Sequence, residues 1–312
     1  MDKTMPAAVF EGEGKLTLKE VPVPSIERSD QVLLKVDAVS ICGTDVHIVA
    51  VPPGYIATRN TILGHEFCGT VVDKGESVPH LELGDRVVVN PNDYCGVCTY
   101  CRKNLPNECE RIEALGIHVN GAFATHCRVS GKVAYKISPD VAVEQAACAE
   151  PLACVVNGTQ KIRLQPGETA VVIGLGPIGM MMAMMYQAAG AGKLITVERA
   201  PYRLEHARKL GLGRVVDGTR EDLKQIVLEE TGIGADVVSD VTGSQLAVAI
   251  DLARKGGRVM AFGVNTRATA QFPQSDVTFK ELQIMGKWLA NATFPEAVRI
   301  LESGLLNIGE LF

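Results

Sequence analysis

The sequence predicts an α/β protein of two domains, an irregular β-rich domain followed by a doubly wound domain with a parallel sheet. Three observations lead to this prediction. The chain has 312 residues, a usual length for two domains. Its first half carries short extended runs broken by glycine and proline. Its second half alternates short apolar strands with helical stretches, a pattern typical of a parallel sheet covered by helices.

Composition and charge narrow the class of protein. Hydrophobic residues make up 46% of the chain and charged residues 21%, which favours a packed globular core. The net charge is −5 and no run of Lys or Arg stands out, which argues against a nucleic-acid partner. No apolar run reaches membrane-spanning length, and Met1–Pro6 lack the pattern of a signal peptide. Nine cysteines, an odd number, then indicate metal ligands and free thiols in a cytoplasmic protein.

Short strands are expected through most of the first domain, which we assign to residues 1–152. The expected strands fall within 7–39, 69–78, 84–89, 121–129 and 133–137. The strand from Gln31 to Val39 ends just before Cys42. From Val143 the chain favours a helix, but Glu150 precedes Pro151, which biases the Glu150 backbone away from helix.

The stretch Gly64-His65-Glu66 places two kinds of metal ligand side by side, with Cys42 upstream and Glu150 downstream. Imidazole, thiolate and carboxylate are all zinc ligands, and a mixed set is typical of an open zinc site. The nearby thiols of Cys148 and Cys154 are competing ligands.

Four further cysteines lie in one loop, in the spacing C-x2-C-x2-C-x7-C. Four thiolates this close in sequence can close a tetrahedral zinc site with no open position. The sequence therefore predicts a second, structural zinc bound by Cys95, Cys98, Cys101 and Cys109.

A glycine motif of the form G-x-G-x-x-G, Gly174 to Gly179, marks the second domain, assigned to residues 153–292. The motif follows the strand 170–173, opens a helix, and precedes further strands at 194–197, 214–217, 236–240, 258–262 and 282–286. This context predicts a dinucleotide held at the helix N-terminus. Glu198, at the end of the next strand, favours NAD, whereas Arg199 keeps NADP open. The predicted binding residues of the loop are Gly174, Gly176, Pro177, Ile178 and Gly179.

The pattern Gly64-His65-Glu66-x-x-Gly69-x-x-x-x-x-Gly75-x-x-Val78 resembles the zinc signature of the medium-chain alcohol and polyol dehydrogenases. The likeness covers nearly the whole chain. It implies a GroES-like catalytic domain, a Rossmann domain, and a structural zinc at the four-cysteine loop.

The resemblance also implies roles for single residues. The run Glu150-Pro151-Leu152 is similar to polyol-type members, which makes Glu150 the third catalytic zinc ligand beside Cys42 and His65. The catalytic candidates are Glu66, as a ligand or a neighbour of the ligands, and Thr44 and His47, as a proton relay. The backbone of Val264 is expected to contact the nicotinamide amide.

These features predict a zinc-dependent dehydrogenase that transfers a hydride from a secondary alcohol or polyol to NAD, acting as a homodimer or homotetramer. By resemblance, Leu289 and Ala290 replace the Arg and the aromatic residue with which sorbitol dehydrogenases face their polyol, so a cyclitol, amino-cyclitol, threonine or simpler diol stays open. The alternative is a catalytically impaired protein that binds NAD and zinc in a structural or regulatory role.

The C-terminal stretch 293–312 is expected to return to the first domain. Residues 294–301 read as a helix that Gly304 ends, and the chain then closes on the apolar pair Leu311 and Phe312. Because similar dehydrogenases continue further, we expect this chain to lack a closing segment of the catalytic domain.

Overall fold

The computed structural model describes residues 3–311, in two compact units. The first unit comprises the described residues up to Ala153 together with Ala290–Gly304, and the second comprises Cys154–Leu289 and the residues from Leu305 onward. The expectation that all of 293–312 returns to the first domain therefore needs correction. The side chain of Ile308 is buried, and the 3-10 helix Ile308–Leu311 contacts the helix Pro177–Ala188 of the second unit. Met1, Asp2 and Phe312 lie outside the described residues.

The first unit is β-rich, as the sequence predicts, and the structure shows that its paired strands are antiparallel. One sheet has the order β2-β1-β4, a larger curled sheet has the order β10-β6-β5-β3-β9, and β7 pairs with β8. The strands are β1 Thr4–Gly12, β2 Lys15–Pro22, β3 Gln31–Ser40, β4 Thr61–Ile62, β5 Glu66–Lys74, β6 Arg86–Val89, β7 Asn92–Asp93, β8 Glu113–Ala114, β9 His126–Ser130 and β10 Ala134–Lys136.

One buried apolar cluster of the first unit lies on one face of the larger sheet. Alternate residues point to the same face of a strand, and the cluster takes alternate positions of β3, β5 and β6. These positions are Val32, Leu34, Phe67, Val71, Val87 and Val89. The predicted strand 69–78 begins earlier and ends at Lys74, because Gly75 turns against the chain at Ser29, whose carbonyl oxygen would lie 2.1 Å from a Cβ at Gly75.

Among the described residues before the second sheet, the chain forms four α-helices: α1 Gly43–Val49, α2 Thr99–Arg102, α3 Val143–Ala147 and α4 Ala149–Ile162. The first three belong to the first unit, and α4 begins in it. The expectation that Glu150 lies outside a helix is wrong, since it occupies the first turn of α4. Proline is tolerated there because the first-turn N–H groups have no partner within the helix in any case.

The second unit is a six-stranded parallel sheet in the order β13-β12-β11-β14-β15-β16. The strand order reverses between β11 and β14, which is the doubly wound topology predicted from the sequence. Its strands are β11 Thr169–Ile173, β12 Lys193–Glu198, β13 Arg214–Asp217, β14 Ala235–Asp240, β15 Ala253–Ala261 and β16 Gln283–Gly286.

The helices of the second unit connect these strands. They are α5 Pro177–Ala188, α6 Pro201–Lys209, α7 Leu223–Thr231, α8 Leu246–Leu252 and α9 Gln274–Phe279. The predicted last helix, α10 Phe294–Ser303, belongs to the first unit and ends at Gly304, whose φ of 65° suits a glycine C-cap. Among residues 3–311, no helix combines the length and the apolar character needed to cross a bilayer.

Candidate functional site

Pairing of β3 with β5 assembles the first candidate metal site. Ser40, the last residue of β3, lies opposite Glu66, the first residue of β5. Cys42 follows β3 by two residues, and His65 precedes β5 by one. The ligand atoms of Cys42, His65 and Glu66 all lie within 4.8 Å of one another. Residues that are far apart in sequence thus offer sulfur, nitrogen and oxygen to one point.

Gly64 makes room for this arrangement. Its φ is +90°, a left-handed conformation that residues with a side chain rarely adopt. A Cβ there would lie 2.6 Å from the ring of Phe123. The carbonyl oxygen of Gly64 also lies only 2.1 Å from the position of a Cβ on Gly121. The glycine of the motif is therefore required by backbone packing directly beside His65.

Asp45 connects two members of the group, and the sequence analysis did not identify it. Its Oδ2 accepts a hydrogen bond of 2.9 Å from the backbone N–H of Cys42 at the start of α1. Its Oδ1 lies 3.6 Å from Nδ1 of His65, an ion-pair distance rather than a hydrogen bond. The side chain is 4% exposed. The sequence signal that could have identified Asp45 is an acidic residue three positions after Cys42, the N-cap residue of α1.

The electrostatics of this group suit a cation. Burial raises the pKa of the Cys42 thiol, and the charges of Glu66 and Glu150 raise it further, against the effect of His65. Burial alone would lower the pKa of His65, but its contacts with Asp45 and Cys42 outweigh this and raise the pKa well above its usual value. The negative charges that favour a proton on Cys42 and His65 also favour a divalent metal cation. The donor set fits zinc, which accepts sulfur, nitrogen and oxygen ligands.

Glu150 lies beside the group rather than within it. It is 8% exposed, in the first turn of α4, and its charge acts on both Cys42 and His65. The neighbouring thiols are also buried, and burial raises the pKa of Cys148 to about 12. Among the described residues, the close set of three includes Glu66 but not Glu150, Cys148 or Cys154.

Thr44 and His47 both lie on α1, directly after Cys42. A spacing of three residues places their side chains on the same face of the helix. Thr44 is half-buried and His47 is exposed. Gly54 packs against His47, since a Cβ there would lie 3.3 Å from the Cβ of His47. The pair therefore runs along α1 from a half-buried to an exposed position.

The four loop cysteines form the second candidate metal site. Their sulfur atoms lie within 4.8 Å of one another. Antiparallel pairing of β7 with β8 closes the loop at its base. The closest sulfur pairs are about 4 Å apart, so these residues are free thiols rather than disulfides. The spacing in sequence therefore becomes a compact four-sulfur cluster, Cys95, Cys98, Cys101 and Cys109.

Backbone and side-chain donors surround these sulfurs. The Sγ of Cys109 accepts from the N–H groups of Cys95 and Arg111 at 3.3 Å each, and Arg111 Nη2 donates to the Sγ of Cys95. Hydrogen bonds from backbone N–H groups, that of Val97 foremost, lower the pKa of Cys95 to about 6. Donors of this kind stabilise thiolates, which are the form that binds zinc. The cluster fits a closed structural zinc site.

The glycine loop after β11 forms the candidate dinucleotide site. Gly174 has a φ of +97°, and a Cβ on Gly179 would lie 1.9 Å from the carbonyl oxygen of Gly174. Gly176 is the N-cap of α5, and the nearest atom to a Cβ there would be Nη1 of Arg203, at 3.9 Å. The loop is therefore tightly closed on one side, and open at Gly176, where a pyrophosphate could approach the helix N-terminus.

Glu198 lies at the end of β12, next to this loop. Its Oε2 accepts from the N–H of Leu175 at 2.9 Å, and its Oε1 accepts from the N–H groups of Arg199 and Ala200. Burial alone would raise the pKa of Glu198, but these donors and the charge of Arg203 lower it below its usual value. The carboxylate is thus ionised and fixed, as hydrogen bonding to ribose hydroxyls requires.

Arg203 is a second residue that the sequence analysis missed. Its Nη1 lies 3.6 Å from Oε2 of Glu198 and close to Gly176. Arg199, the cation that the sequence analysis considered instead, is exposed. The sequence signal that could have identified Arg203 is a basic residue in the first turn of α6, five positions after Glu198. The predicted contact Val264 follows β15 and is 48% exposed, at the same edge of the parallel sheet as the glycine loop.

Two protein-family models match this chain. The family model "Alcohol dehydrogenase GroES-like domain" matches residues 28–139, and the model "Zinc-binding dehydrogenase" matches residues 177–303. Together these ranges include Cys42, His65, Glu66 and the four-cysteine loop, and the cofactor residues from Pro177 onward.

Similar proteins extend over almost the whole chain. Sorbitol dehydrogenase of Bacillus subtilis is 31% identical, over 99% of this chain and 89% of the relative. D-arabinitol dehydrogenase 1 of Uromyces fabae is 33% identical, over 96% of this chain and 87% of the relative. The crystal structure of a putative zinc-binding dehydrogenase from Sinorhizobium meliloti, bound to NADP, superimposes with a TM-score of 0.93 at 30% identity, covering 99% and 91% of the two chains.

Metal analysis tests the two sites. Protein purified without chelator is expected to contain two zinc ions per chain. The substitution Cys98→Ser should reduce this to one and lower the thermal midpoint, because the loop loses a closed site. The buried thiol variant Cys127→Ser is the control and should retain both ions. A single zinc in the wild type, unchanged in Cys98→Ser, would show that the four-cysteine loop binds no metal.

Proposed function

The chain belongs to the zinc-dependent medium-chain alcohol and polyol dehydrogenases, and we propose that it transfers a hydride from a secondary alcohol or polyol to NAD, giving a ketone. The observation that carries this proposal is the group of Cys42, His65 and Glu66 within a chain of this family. The balanced reaction releases NADH, the ketone and one proton for each alcohol oxidised.

We assign the binding of the catalytic zinc to Cys42, His65 and one carboxylate, either Glu66 or Glu150. Zinc bound there would supply Lewis acidity that favours the alkoxide form of the substrate. Asp45 fixes the backbone of Cys42 and faces His65, so it orients two of the ligands. Two observations support this assignment. Asp45, His65, Glu66 and Glu150 are buried. His65, Glu66 and Glu150 also lie close enough to Cys42 to shift the pKa of its thiol.

The proton of the substrate hydroxyl needs a route to water. Thr44 can accept it at its hydroxyl oxygen while donating its own proton onward, and His47 can hold a proton at a ring nitrogen. The half-buried position of Thr44 and the exposed position of His47 on one face of α1 support this order. An imidazole suits the outer position because its ring nitrogens can accept and donate a proton.

NAD is the proposed cofactor, bound by the second unit. When bound there, the nicotinamide would supply the hydride acceptor. Glu198 would bind the ribose hydroxyls, and its fixed negative charge would disfavour the 2′-phosphate of NADP. Arg203 would face the cofactor phosphates near Gly176. One similar structure was crystallised with NADP, so the proposed preference of this chain for NAD rests on Glu198.

The substrate class follows from the groups near the end of β16. Leu289 has a φ of 49°, and its carbonyl oxygen accepts a 2.7 Å hydrogen bond from the buried side chain of Asn157. Neither Leu289 nor Ala290 offers the hydrogen-bonding groups that sorbitol dehydrogenases place here by resemblance. We therefore propose a cyclitol, amino-cyclitol, threonine or simpler diol ahead of sorbitol itself.

We further propose a homodimer or homotetramer in a reducing compartment, the cytoplasm. No disulfide joins any of the nine cysteines, all of which lie within residues 3–311, and this suits such a compartment. The strand β16 lies at the edge of the parallel sheet, and Ile284 on it is exposed. Exposed edges with apolar residues are common sites of pairing between chains.

Turnover tests the proposed reaction. Zinc-loaded protein with NAD should reduce the cofactor in the presence of at least one secondary alcohol or polyol, followed at the absorbance of NADH. The substitution His65→Ala should lower kcat/KM by roughly 100-fold or more, because it removes a metal ligand. The exposed His80→Ala is the matched control and should stay active. Full metal and cofactor occupancy without turnover of any compound tested would favour the impaired alternative.

Cofactor choice tests Glu198. Glu198→Ala should raise the KM for NAD about ten-fold or more, since a charged hydrogen bond contributes about 1.5–3 kcal/mol. The same variant should reduce the difference between the KM for NAD and the KM for NADP. Glu205→Ala, an exposed acid on α6, serves as control and should change neither value. A wild-type preference for NADP would transfer the specificity role to Arg199 or Arg203.

The pH profile tests His47. His47→Ala should lower kcat by roughly ten-fold below neutral pH, where solvent hydroxide is too scarce to take the proton directly. The deficit should shrink at high pH, and imidazole buffer should restore part of the activity. Val46→Ala, an exposed neighbour on the same helix, should keep the wild-type profile. An unaltered profile in His47→Ala would remove this residue from the proton route.

A further inference from the structure

The hydroxyl of Ser40 lies against the carboxylate of Glu66 in the metal group. Ser40 ends β3 and faces Glu66 directly across the strand pair. Its Oγ donates a short hydrogen bond to Oε2 of Glu66, and lies 3.5 Å from the backbone carbonyl oxygen of the same residue. Ser40 is half-buried and Glu66 is 8% exposed. The contact is therefore shielded from most of the solvent.

A carboxylate has two oxygens, and this contact distinguishes them. The lone pair of Oε2 that faces Ser40 is engaged by the hydroxyl, which leaves Oε1 and the outer side of Oε2 to face a metal. One carboxylate oxygen of Glu66 is within 4.8 Å of the ligand atoms of Cys42 and His65. Ligand atoms around tetrahedral zinc are roughly 3.5 Å apart. Only a short movement therefore separates Glu66 from a ligand position.

We propose that Ser40 is a positioning residue that holds the Glu66 carboxylate in the orientation that offers one oxygen to the metal. The inference rests on the proposed metal site of the first unit and adds a second anchor to it. Asp45 orients Cys42 and His65, and Ser40 orients Glu66. Hydrogen bonds to metal-binding carboxylates of this kind change metal affinity by about 10- to 100-fold.

The competing explanation is purely structural. A buried carboxylate needs hydrogen-bond partners, and Ser40 could supply one without any effect on a metal. Under that explanation, loss of the hydroxyl would lower the thermal midpoint and leave metal release unchanged. Under the positioning role, metal release must change whether or not the thermal midpoint does.

Two substitutions of equal shape separate these explanations. Ser40→Thr keeps the hydroxyl and Ser40→Val replaces it with a methyl group, and both residues suit the end of a strand. The zinc-loaded proteins are mixed with excess chromophoric chelator, and the release of each zinc is timed. We expect Ser40→Val to release one zinc about 10- to 100-fold faster than wild type, and Ser40→Thr to release it at nearly the wild-type rate. The zinc of the four-cysteine loop should be unaffected in both.

Cobalt substitution gives a second readout that does not depend on turnover. The visible absorption of Co²⁺ in the Cys42 group should shift in Ser40→Val, because the Glu66 oxygen moves relative to the metal, and should stay unchanged in Ser40→Thr. In a Glu66→Ala background, Ser40→Val should have no further effect on release, since Ser40 acts through Glu66. Ser130→Ala, a buried serine opposite Gln31 at the other end of β3, is the control.

The outcomes are distinct. Equal release rates and equal cobalt spectra for Ser40→Thr and Ser40→Val would overturn the positioning role while leaving the metal site and the proposed function intact. A wild-type protein that binds zinc only at the four-cysteine loop would overturn the metal site itself, and the proposed function with it. Faster release in Ser40→Val alone would support the positioning role.

Discussion

The register of β3 against β5 is the constraint on which the first unit depends. This pairing sets Ser40 opposite Glu66 and so brings Cys42 beside His65. A slip of one residue would turn the side chains of one strand to the opposite face, separating the ligand types and exposing the apolar positions of the same strands. Burial of Val32, Leu34, Phe67 and Val71 opposes such a slip. The hydrophobic pattern and the metal group therefore specify the same register.

Close backbone packing is the corresponding constraint in the second unit. Asp240 at the end of β14 is 2% exposed, and its carboxylate accepts hydrogen bonds from the N–H groups of Thr242, Gly243 and Gln245. This turn brings the Thr242 side chain to within 2.6 Å of where a Cβ on Gly174 would lie. A glycine is required in the cofactor loop partly because a neighbouring strand end has folded against it.

The first unit concentrates buried acidic groups around one point. Asp45, Glu66, Glu150 and the thiol of Cys42 are at least half-buried, and the charges of Glu66 and Glu150 disfavour a thiolate at Cys42. Buried charges of one sign are costly unless a cation offsets them. Metal binding at such a group contributes directly to folding stability, because the unfolded chain has no preformed site. The hydrogen bonds of Asp45 and Ser40 each engage one buried carboxylate oxygen, Oδ2 of Asp45 and Oε2 of Glu66.

The sequence by itself determined the features whose parts are neighbours along the chain. His65 and Glu66 are adjacent, the four cysteines share one loop, and the glycines of the cofactor loop lie between a recognisable strand and helix, so local spacing was sufficient. Tertiary structure alone decided the contacts of Asp45, Ser40 and Arg203, the place of Glu150 inside a helix, and the unit to which the described residues after Gly304 belong. Each of these depends on contacts whose energy comes from burial, strand register or helix packing, and such contacts leave no periodic signal in the sequence.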